Sequence, residues 1–358
     1  MFLASLPPNT PITITITGTN PHTPPSLTTT LTSLFASALS DSLCAHTETL
    51  HQHHDTTNST IHLTYWSTAN YQKWLTSPTV SAFFSSLNNN NSDDSSTSPA
   101  GIYHETLTIQ PSRIQGATNH PVPSGCMHLG SIDLKPELSG YWGCYPDRIG
   151  EKSIKSKITK EDISTVISES KTDTQEGGGK ILPGKQTITH IPDNICFVVE
   201  GQDHSAASAE ERTYWAEHFD SLSQEWVGQV LSAGLPGGVV SSRGCYNPSV
   251  ESTLPDSDST AEEGQRRRRY PLTLGRDVQL LYFVDLQYME TLGRKSAEHV
   301  KLRKAFMEAY GPGGVLFGGG LKLWVETAVL RDGDFLGEYW GCVQGTGLLG
   351  VKGVLGVE

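Results

Sequence analysis

The sequence predicts an α+β fold in which two ferredoxin-like halves form a curved antiparallel sheet flanked by helices, as in a dimeric α/β barrel. The main observation is that a βαββαβ-like order of elements occurs in each half of the chain. In addition, Tyr65-Trp66 leads into a helical segment much as Tyr282-Phe283 does later. The length of 358 residues exceeds what a single core usually supports, which also favours two units.

The N-terminal half begins with Ile12, Ile14 and Ile16 alternating with threonines, which is the pattern of a half-buried strand. Pro24-Pro25-Ser26 then predicts a helix start, because apolar residues recur at helical spacing as far as Leu39. One strand of the βαββαβ order is weak or missing from this half. The other predicted elements are a strand at 61–65, a helix at 71–84 with Pro78 near a turn or kink, and a strand at 103–109.

The C-terminal half repeats this order with stronger signals. Apolar and aromatic residues of the first helix, from Trp215 to Val230, form one stripe. The predicted elements are strand 195–199, helix 210–231, strand 239–246, strand 278–285, helix 286–309 and strand 321–329.

Three polar segments separate or interrupt these elements. We expect an N-terminal half at 1–150, a polar linker at 151–189 and a C-terminal half at 190–358. Segments so poor in apolar residues cannot offset the entropy of ordering, so surface loops or disorder are expected, away from the chemistry. The low-complexity segments are Asn88 to Pro99, Lys152 to Gly179 and Ser249 to Gln265.

The composition limits the class of partner. A formal net charge of -12 and a pI near 5.5 argue against nucleic-acid binding and suit a small-molecule substrate. The six scattered cysteines form no CxxC or CxxCH motif, and no segment has the apolar length of a membrane span or the pattern of a secretory signal. We therefore expect a cytoplasmic protein without a membrane partner, and a homodimer is possible.

The strongest candidate for a functional residue is His299, on the helix that follows the strand ending near Asp285. A neutral imidazole facing a cavity can bind iron axially, although a single helical histidine is more often a surface or structural residue. A second histidine cluster, His46 with His51-Gln-His-His54, fits no standard zinc spacing, and a solvated loop is the favoured interpretation.

Three further stretches form a pattern together with the segment around His299. They are Gly140-Tyr-Trp-Gly143 leading to Arg148, Pro192-Asp-Asn-Ile195 leading to Glu200, and Leu323-Trp-Val-Glu326. With them the chain resembles the aldoxime dehydratase family, haem enzymes that convert aldoximes to nitriles. The resemblance implies haem b as cofactor, His299 as the proximal iron ligand and Arg148 as a catalytic residue that holds the substrate oxygen. It extends from about Ile12 to Leu349 and is more specific in the second half.

The chain departs from the family pattern at positions that matter for the reaction. Glu200 stands where many members have a serine or threonine, and Val325 stands where the family has its distal histidine. A buried carboxyl group can serve as a general acid, so Glu200 is a candidate catalytic residue, although it is equally compatible with a solvated loop residue. Strand alternation turns Glu326 away from the face of Val325, so Glu326 is not a simple replacement.

Four hypotheses about function follow from this resemblance and these departures. The first is an aldoxime dehydratase-like lyase with altered distal residues. The alternatives are a haem enzyme acting on another N–O or peroxide substrate, a haem-binding paralogue without turnover, and a degenerate, haem-free paralogue.

Overall fold

The structure is a computed structural model that describes residues 1–53, 59–89, 99–170, 179–250, 272–273, 275–353 and 355–358. Its centre is a sheet of 13 strands among the described residues, in which neighbouring strands pair antiparallel. The N-terminal elements are β1 (Phe2–Ser5), β2 (Ile12–Thr19), α1 (Pro25–Ser40), β3 (His46–Gln52), β4 (Thr60–Ser67), α2 (Thr68–Leu75), α3 (Pro78–Asn89), β5 (Ile102–Ile109), β6 (Ile114–Thr118) and β7 (Ser131–Leu134).

The remaining elements complete the sheet and cover it with helices. They are α4 (Cys144–Arg148), α5 (Lys160–Ser170), β8 (Lys185–Ile188), β9 (Cys196–Asp203), α6 (Ala209–His218), α7 (Asp220–Ser232), β10 (Val239–Tyr246), β11 (Arg276–Phe283), α8 (Leu286–Lys295), α9 (Ala297–Tyr310), β12 (Lys322–Val329) and β13 (Phe335–Trp340).

The sheet contains two sets of four strands that meet edge to edge. The strand order is β7-β1-β6-β12-β9-β11-β10-β3-β4-β2-β5-β13-β8, so β12-β9-β11-β10 and β3-β4-β2-β5 are the two sets. They join where β10 pairs with β3, through Cys245 opposite Gln52 and Tyr246 opposite His51. Each set has the βαββαβ chain order that the sequence predicts, and the predicted α+β class is confirmed. Within the described residues the two end strands, β7 and β8, do not pair, so the sheet is not a closed barrel.

The two sets are also held together by a buried polar network. The Glu105 carboxylate on β5 accepts hydrogen bonds from Arg243 Nη2 (2.6 Å) on β10, Tyr282 OH (3.2 Å) on β11 and Tyr339 OH (2.8 Å) on β13. Buried charges are tolerated when they are paired and hydrogen-bonded, as here. The boundaries of the two halves near residues 150 and 190 remain a prediction.

Two sequence expectations require correction. The connection containing His46 and His51 is not a loop but strand β3, paired with β4 along its length; His54 lies outside the described residues. The segment expected to be a polar linker of surface loop or disorder contains helix α5. The Asp162 N–H donates to the Thr159 hydroxyl oxygen at the start of this helix, and Ile163 is buried in the main core. The alternating pattern of β3 contains histidine and threonine and is too polar to predict a strand. In α5 only an isolated pair of isoleucines is apolar among polar residues, which is too weak a pattern to predict a helix.

Three predicted helices prove to be broken. The break between α2 and α3 lies just before Pro78, where a turn or kink was predicted. The breaks at Phe219, between α6 and α7, and at Ser296, between α8 and α9, were not predicted. The last break begins the helix that carries His299. None of the helices in the described part of the chain combines the length and the apolar character that a membrane crossing requires.

Successive residues of the central strands belong to different sides of the sheet. On β9, β11 and β12, one side contributes Val198, Leu281 and Val325 to a smaller apolar cluster beneath the C-terminal helices. The alternate residues, including Val199, Leu280 and Trp324, belong to the main core on the other side. The candidate site lies on the side of the smaller cluster.

Candidate functional site

A cavity opens between strands β9 and β11 and the helices α4, α7, α8 and α9. The space between its atoms, with the open solvent at its mouth included, is about 520 Å³. Its wall is largely apolar, with a few ionisable groups, His299, Glu200, Glu290 and Arg303, facing the same space. The apolar lining includes Val198, Val230, Leu281, Phe283 and Met289.

His299 is fixed by the break between α8 and α9. Ser296 caps α9 by accepting a hydrogen bond from the His299 backbone N–H at 3.1 Å. The imidazole Nδ1 lies 2.9 Å from the Gly293 carbonyl oxygen, and because a carbonyl only accepts, Nδ1 carries the proton. A Cβ at Gly293 would lie 3.0 Å from Nδ1, so a glycine there makes room for the ring.

This geometry leaves Nε2 as the nitrogen with a free lone pair. Within the described residues, Nε2 has no hydrogen-bond partner. Burial lowers the pKa of His299, with a smaller contribution from the Arg303 charge, so the ring is neutral near pH 7. Trp226 stacks on the ring with centroids 4.2 Å apart, and Trp142 meets it edge-on at 5.8 Å. The imidazole is therefore oriented, neutral and competent to ligate a metal through Nε2.

Glu200 lies on β9 and faces the same cavity. Burial raises the pKa of its carboxyl group to about 7, and the nearby Trp226 side chain opposes part of that shift. Trp226 Nε1 has no hydrogen bond of normal geometry within the described residues. Glu200 therefore exchanges a proton near neutral pH, as a general acid or base must.

Val325, which stands where the family has its distal histidine, is the neighbour of Glu200. The two residues are directly paired across the β9–β12 ladder, and Val325 is buried in the cluster beneath the cavity. Glu326 points to the other side of the sheet, where Tyr65 OH and the Cys126 N–H each donate to its carboxylate at 2.9 Å. Strand alternation thus excludes Glu326 from the site.

Arg148 does not line the cavity. Its Nε donates to the Leu138 carbonyl at 2.8 Å, and its guanidinium carbon lies 5.0 Å from the centroid of the Tyr145 ring. Tyr145 does line the cavity, and burial followed by the charge of Glu200 raises the pKa of its hydroxyl group. Nη1 of Arg148 is buried without a hydrogen-bond partner among the described residues. Arg148 thus contacts Tyr145, a residue that lines the cavity, but does not line the cavity itself.

Sequence reasoning missed several residues of the site. Arg303 follows His299 by four residues on α9, and that spacing alone places both side chains on one face of the helix. Trp226 was assigned only to an apolar stripe, and Glu290 was not considered. Oε1 of Glu290 is buried with no hydrogen-bond partner in the described part of the chain, and burial raises the pKa of the carboxyl group.

The other histidine cluster does not form a comparable site. His46 stacks on His128 with ring centroids 4.2 Å apart, and burial lowers the pKa of His46 to about 4. Among the described residues, no group of three or more histidine, cysteine or carboxylate side chains has a metal-binding arrangement.

Comparisons with known proteins agree with the sequence resemblance. A family profile described as haem-containing dehydratase matches residues 17–348. An aliphatic aldoxime dehydratase from Rhodococcus globerulus is 22% identical over 311 residues, which cover 83% of this chain and 76% of that protein. The resemblance inferred from the sequence is confirmed.

Solved structures show the same fold. An aldoxime dehydratase crystallised with butyraldoxime has a TM-score of 0.69 and 16% identity, covering 97% of this chain and 88% of that one. A second aldoxime dehydratase crystal structure has a TM-score of 0.68 and 17% identity, covering 97% and 90% of the two chains. At such identities the likeness establishes the architecture.

Proposed function

The chain belongs to the family of haem-containing dehydratases, and from that premise we propose that it is a haem b-dependent lyase that dehydrates aldoximes to nitriles with altered groups around the substrate. His299 is the proposed iron ligand, Glu200 the proton donor and Arg148 a residue that supports the substrate side of the site. The observation that carries the proposal is that His299 and Glu200 face one apolar cavity.

The residues present fit the cofactor. Nδ1 of His299 is hydrogen-bonded to the Gly293 carbonyl, so Nε2 would be the nitrogen that holds the iron, and the stacked Trp226 fixes the plane of the ring. The apolar side chains of the cavity suit the faces of a macrocycle, and Trp142, which also lines the cavity, is 41% exposed.

When bound, the haem iron supplies the centre that binds and activates the oxime nitrogen. The rest of the reaction is proton transfer. Glu200, with a pKa near 7, holds a proton that it donates to the hydroxyl oxygen as the N–O bond breaks, and water leaves. The hydrogen on the oxime carbon leaves as a proton, which the Glu200 carboxylate accepts, so the carboxyl group is regenerated and the nitrile is released.

The surroundings of Glu200 support this role. Val198, Leu281 and Phe283 line the cavity beside the carboxyl group with apolar side chains, and burial keeps its pKa high and its proton available. Arg148 contributes through Tyr145, because it contacts the ring of that residue, and burial followed by the charge of Glu200 raises the pKa of the Tyr145 hydroxyl group.

We also propose a cytoplasmic setting. All six cysteines are buried free thiols, as expected in a reducing compartment. The homodimer considered from the sequence remains part of the proposal.

The test is spectroscopic first and kinetic second. Purified protein supplied with haem b should show a Soret band, and the ferrous form should convert an aldoxime to its nitrile. Turnover of peroxide by the ferric form with no nitrile formed would instead favour the alternative haem enzyme. A haem-bound protein inert to both would be a binding paralogue, and no Soret band at all would contradict the proposal.

A further inference from the structure

Arg303 is the positively charged side chain among the described residues that line the cavity. It lies four residues after His299 on α9, so the two side chains emerge from the same face about 5–6 Å apart at Cβ. Arg303 is half-buried and lines the cavity beside the exposed Trp142, whereas Glu200 lies on the sheet that forms the floor. Arg303 is thus positioned between the iron ligand and the open mouth.

The guanidinium group of Arg303 has no carboxylate partner within the described residues. Its carbon lies 4.2 Å from the centroid of the Trp142 ring, a cation–π contact that orients the group without neutralising it. Arg148 does not have this freedom, because its Nε is bonded to Leu138 and it lies outside the cavity lining.

A carboxylate that enters the cavity needs such a cation. The lining already contains the carboxyl groups of Glu200, proposed here to hold its proton, and of Glu290, in a protein of formal net charge -12. Haem b adds two carboxylates at one edge of its ring, and an anion entering this wall is disfavoured unless a cation faces it. A guanidinium group matches a carboxylate through two parallel N–H donors.

We propose that Arg303 binds a carboxylate of haem b and so orients the macrocycle relative to His299. This rests on the proposed function, because it takes haem as the occupant of the cavity. It assigns a second cofactor-binding residue, one helical turn beyond the iron ligand, and it gives the Trp142 ring the role of holding the guanidinium group in place.

The experiment compares haem b with its dimethyl ester, in which both carboxylates are methylated. Protein reconstituted with either group is mixed with an excess of a haem-scavenging globin, and the rate of haem release is followed in the Soret region. Arg303→Gln should release haem b about 10-fold faster or more than the unsubstituted protein, because a charge-assisted pair is lost. With the ester, the two proteins should release at the same rate.

Lys304→Gln is the matched control, since it removes one positive charge from the next residue, which is exposed and pairs only with Glu308 among the described residues. It should leave release of haem b unchanged, and Arg303→Lys should give an intermediate rate. Circular dichroism and thermal unfolding establish that each variant is folded.

Equal acceleration of ester and haem b release by Arg303→Gln would overturn the proposal in favour of a packing role. Unchanged haem release with a raised KM for aldoxime would overturn it in favour of substrate binding. Failure of the unsubstituted protein to take up haem would instead remove the proposed function itself, so the two failures are distinguishable.

Discussion

Val325 and Glu200 are directly opposite each other across the β9–β12 ladder. Side chains at paired positions of antiparallel strands lie about 4.5–5.5 Å apart at Cβ. The position at which the family has its distal histidine is therefore adjacent to the carboxyl group proposed here as the proton donor. The two departures from the family pattern occupy one place in the molecule, and a carboxyl group on one strand can compensate for an imidazole missing from the other.

We expect His299→Ala to abolish haem b binding or to weaken it severely, because Nε2 is the only oriented imidazole nitrogen among the described residues that line the cavity. The measurement is the haem content and Soret spectrum of the purified variant. His190→Ala is the control, since His190 is exposed and lies in a separate surface groove. Added imidazole should restore part of the spectrum, and a variant spectrum identical to that of the unsubstituted protein would remove the assignment.

Glu326→Gln should make the protein less sensitive to rising pH. Burial raises the pKa of Glu326 to about 7 from a usual value of 4.5, so the folded state holds the proton more tightly than the unfolded state. The contribution of this carboxyl group to the stability is then fully present below about pH 4.5 and is lost as the pH rises through 7. Relative to Glu326→Gln, the unsubstituted protein should lose on the order of 3 kcal/mol of unfolding free energy across that window.

The measurement for Glu326 is urea unfolding at several pH values. The glutamine oxygen can accept from the Cys126 N–H while its amide N–H donates to the Tyr65 hydroxyl oxygen, so the variant should fold. Glu308→Gln, on an exposed part of α9, is the control. Parallel stability curves for Glu326→Gln and the unsubstituted protein would contradict the expected shift.

Arg148→Ala should reduce aldoxime turnover without changing the haem spectrum, because the structure connects Arg148 to the cavity through Tyr145. If Arg148 acts through that ring, the loss should be non-additive with Tyr145→Leu, which removes the ring, with a coupling on the order of 1 kcal/mol in a double-mutant cycle. Kinetics of the two single variants and the double variant provide the measurement. Strictly additive losses would mean that Arg148 touches the substrate independently.

The strands that could be predicted were those with an apolar pattern of their own, such as β2, β9 and β12. Strand β3 was missed because its buried Glu48 is stabilised by an ion pair with Arg276, which is distant in the sequence. A buried charge looks like a solvated one until its partner is known. The pairing of β6 with β12 and of β13 with β5, between distant segments, also has no local signal.

The residues of the candidate site also divide into those that the sequence can identify and those that it cannot. His299 and Glu200 were identified by resemblance to a family, and strand alternation correctly separated Val325 from Glu326. Arg303 could have been found from its helical spacing to His299. The stacking of Trp226 on His299 and the room that Gly293 leaves for the ring depend on how α7, α8 and α9 pack, which periodicity does not contain.

The rate of dehydration should fall as the pH rises through about 7, because Glu200 acts in its protonated form and its pKa is raised to that value. Glu200→Gln should lower the rate and remove this limb of the profile. The measurement is kcat/KM for one aldoxime between pH 5.5 and 8.5, a range chosen to be about 1.5 units either side of the pKa. A limb that persists in Glu200→Gln would assign the titration to another group.

Turnover of simple arylaldoximes should be measurable but much slower than in relatives with a distal histidine, because Val325 has no proton to give and Glu200 has to supply it alone. Loss of a positioned acid typically costs about 10²–10⁴-fold. Val325→His should therefore raise the rate, since the new imidazole lies beside Glu200 on the same face. Val325→Leu is the control, as it changes the volume of the side chain without adding a proton donor.

The combination of Val325→His and Glu200→Gln separates the two possible acids. If Glu200 has replaced the histidine, Glu200→Gln should be costly in the natural background and much less costly once Val325→His supplies a second donor. Equal costs in the two backgrounds would mean that Glu200 and the introduced histidine do not share a role. Fast dehydration by the unsubstituted protein that is insensitive to Glu200→Gln would defeat the proton-transfer mechanism, because neither paired position would then supply the acid.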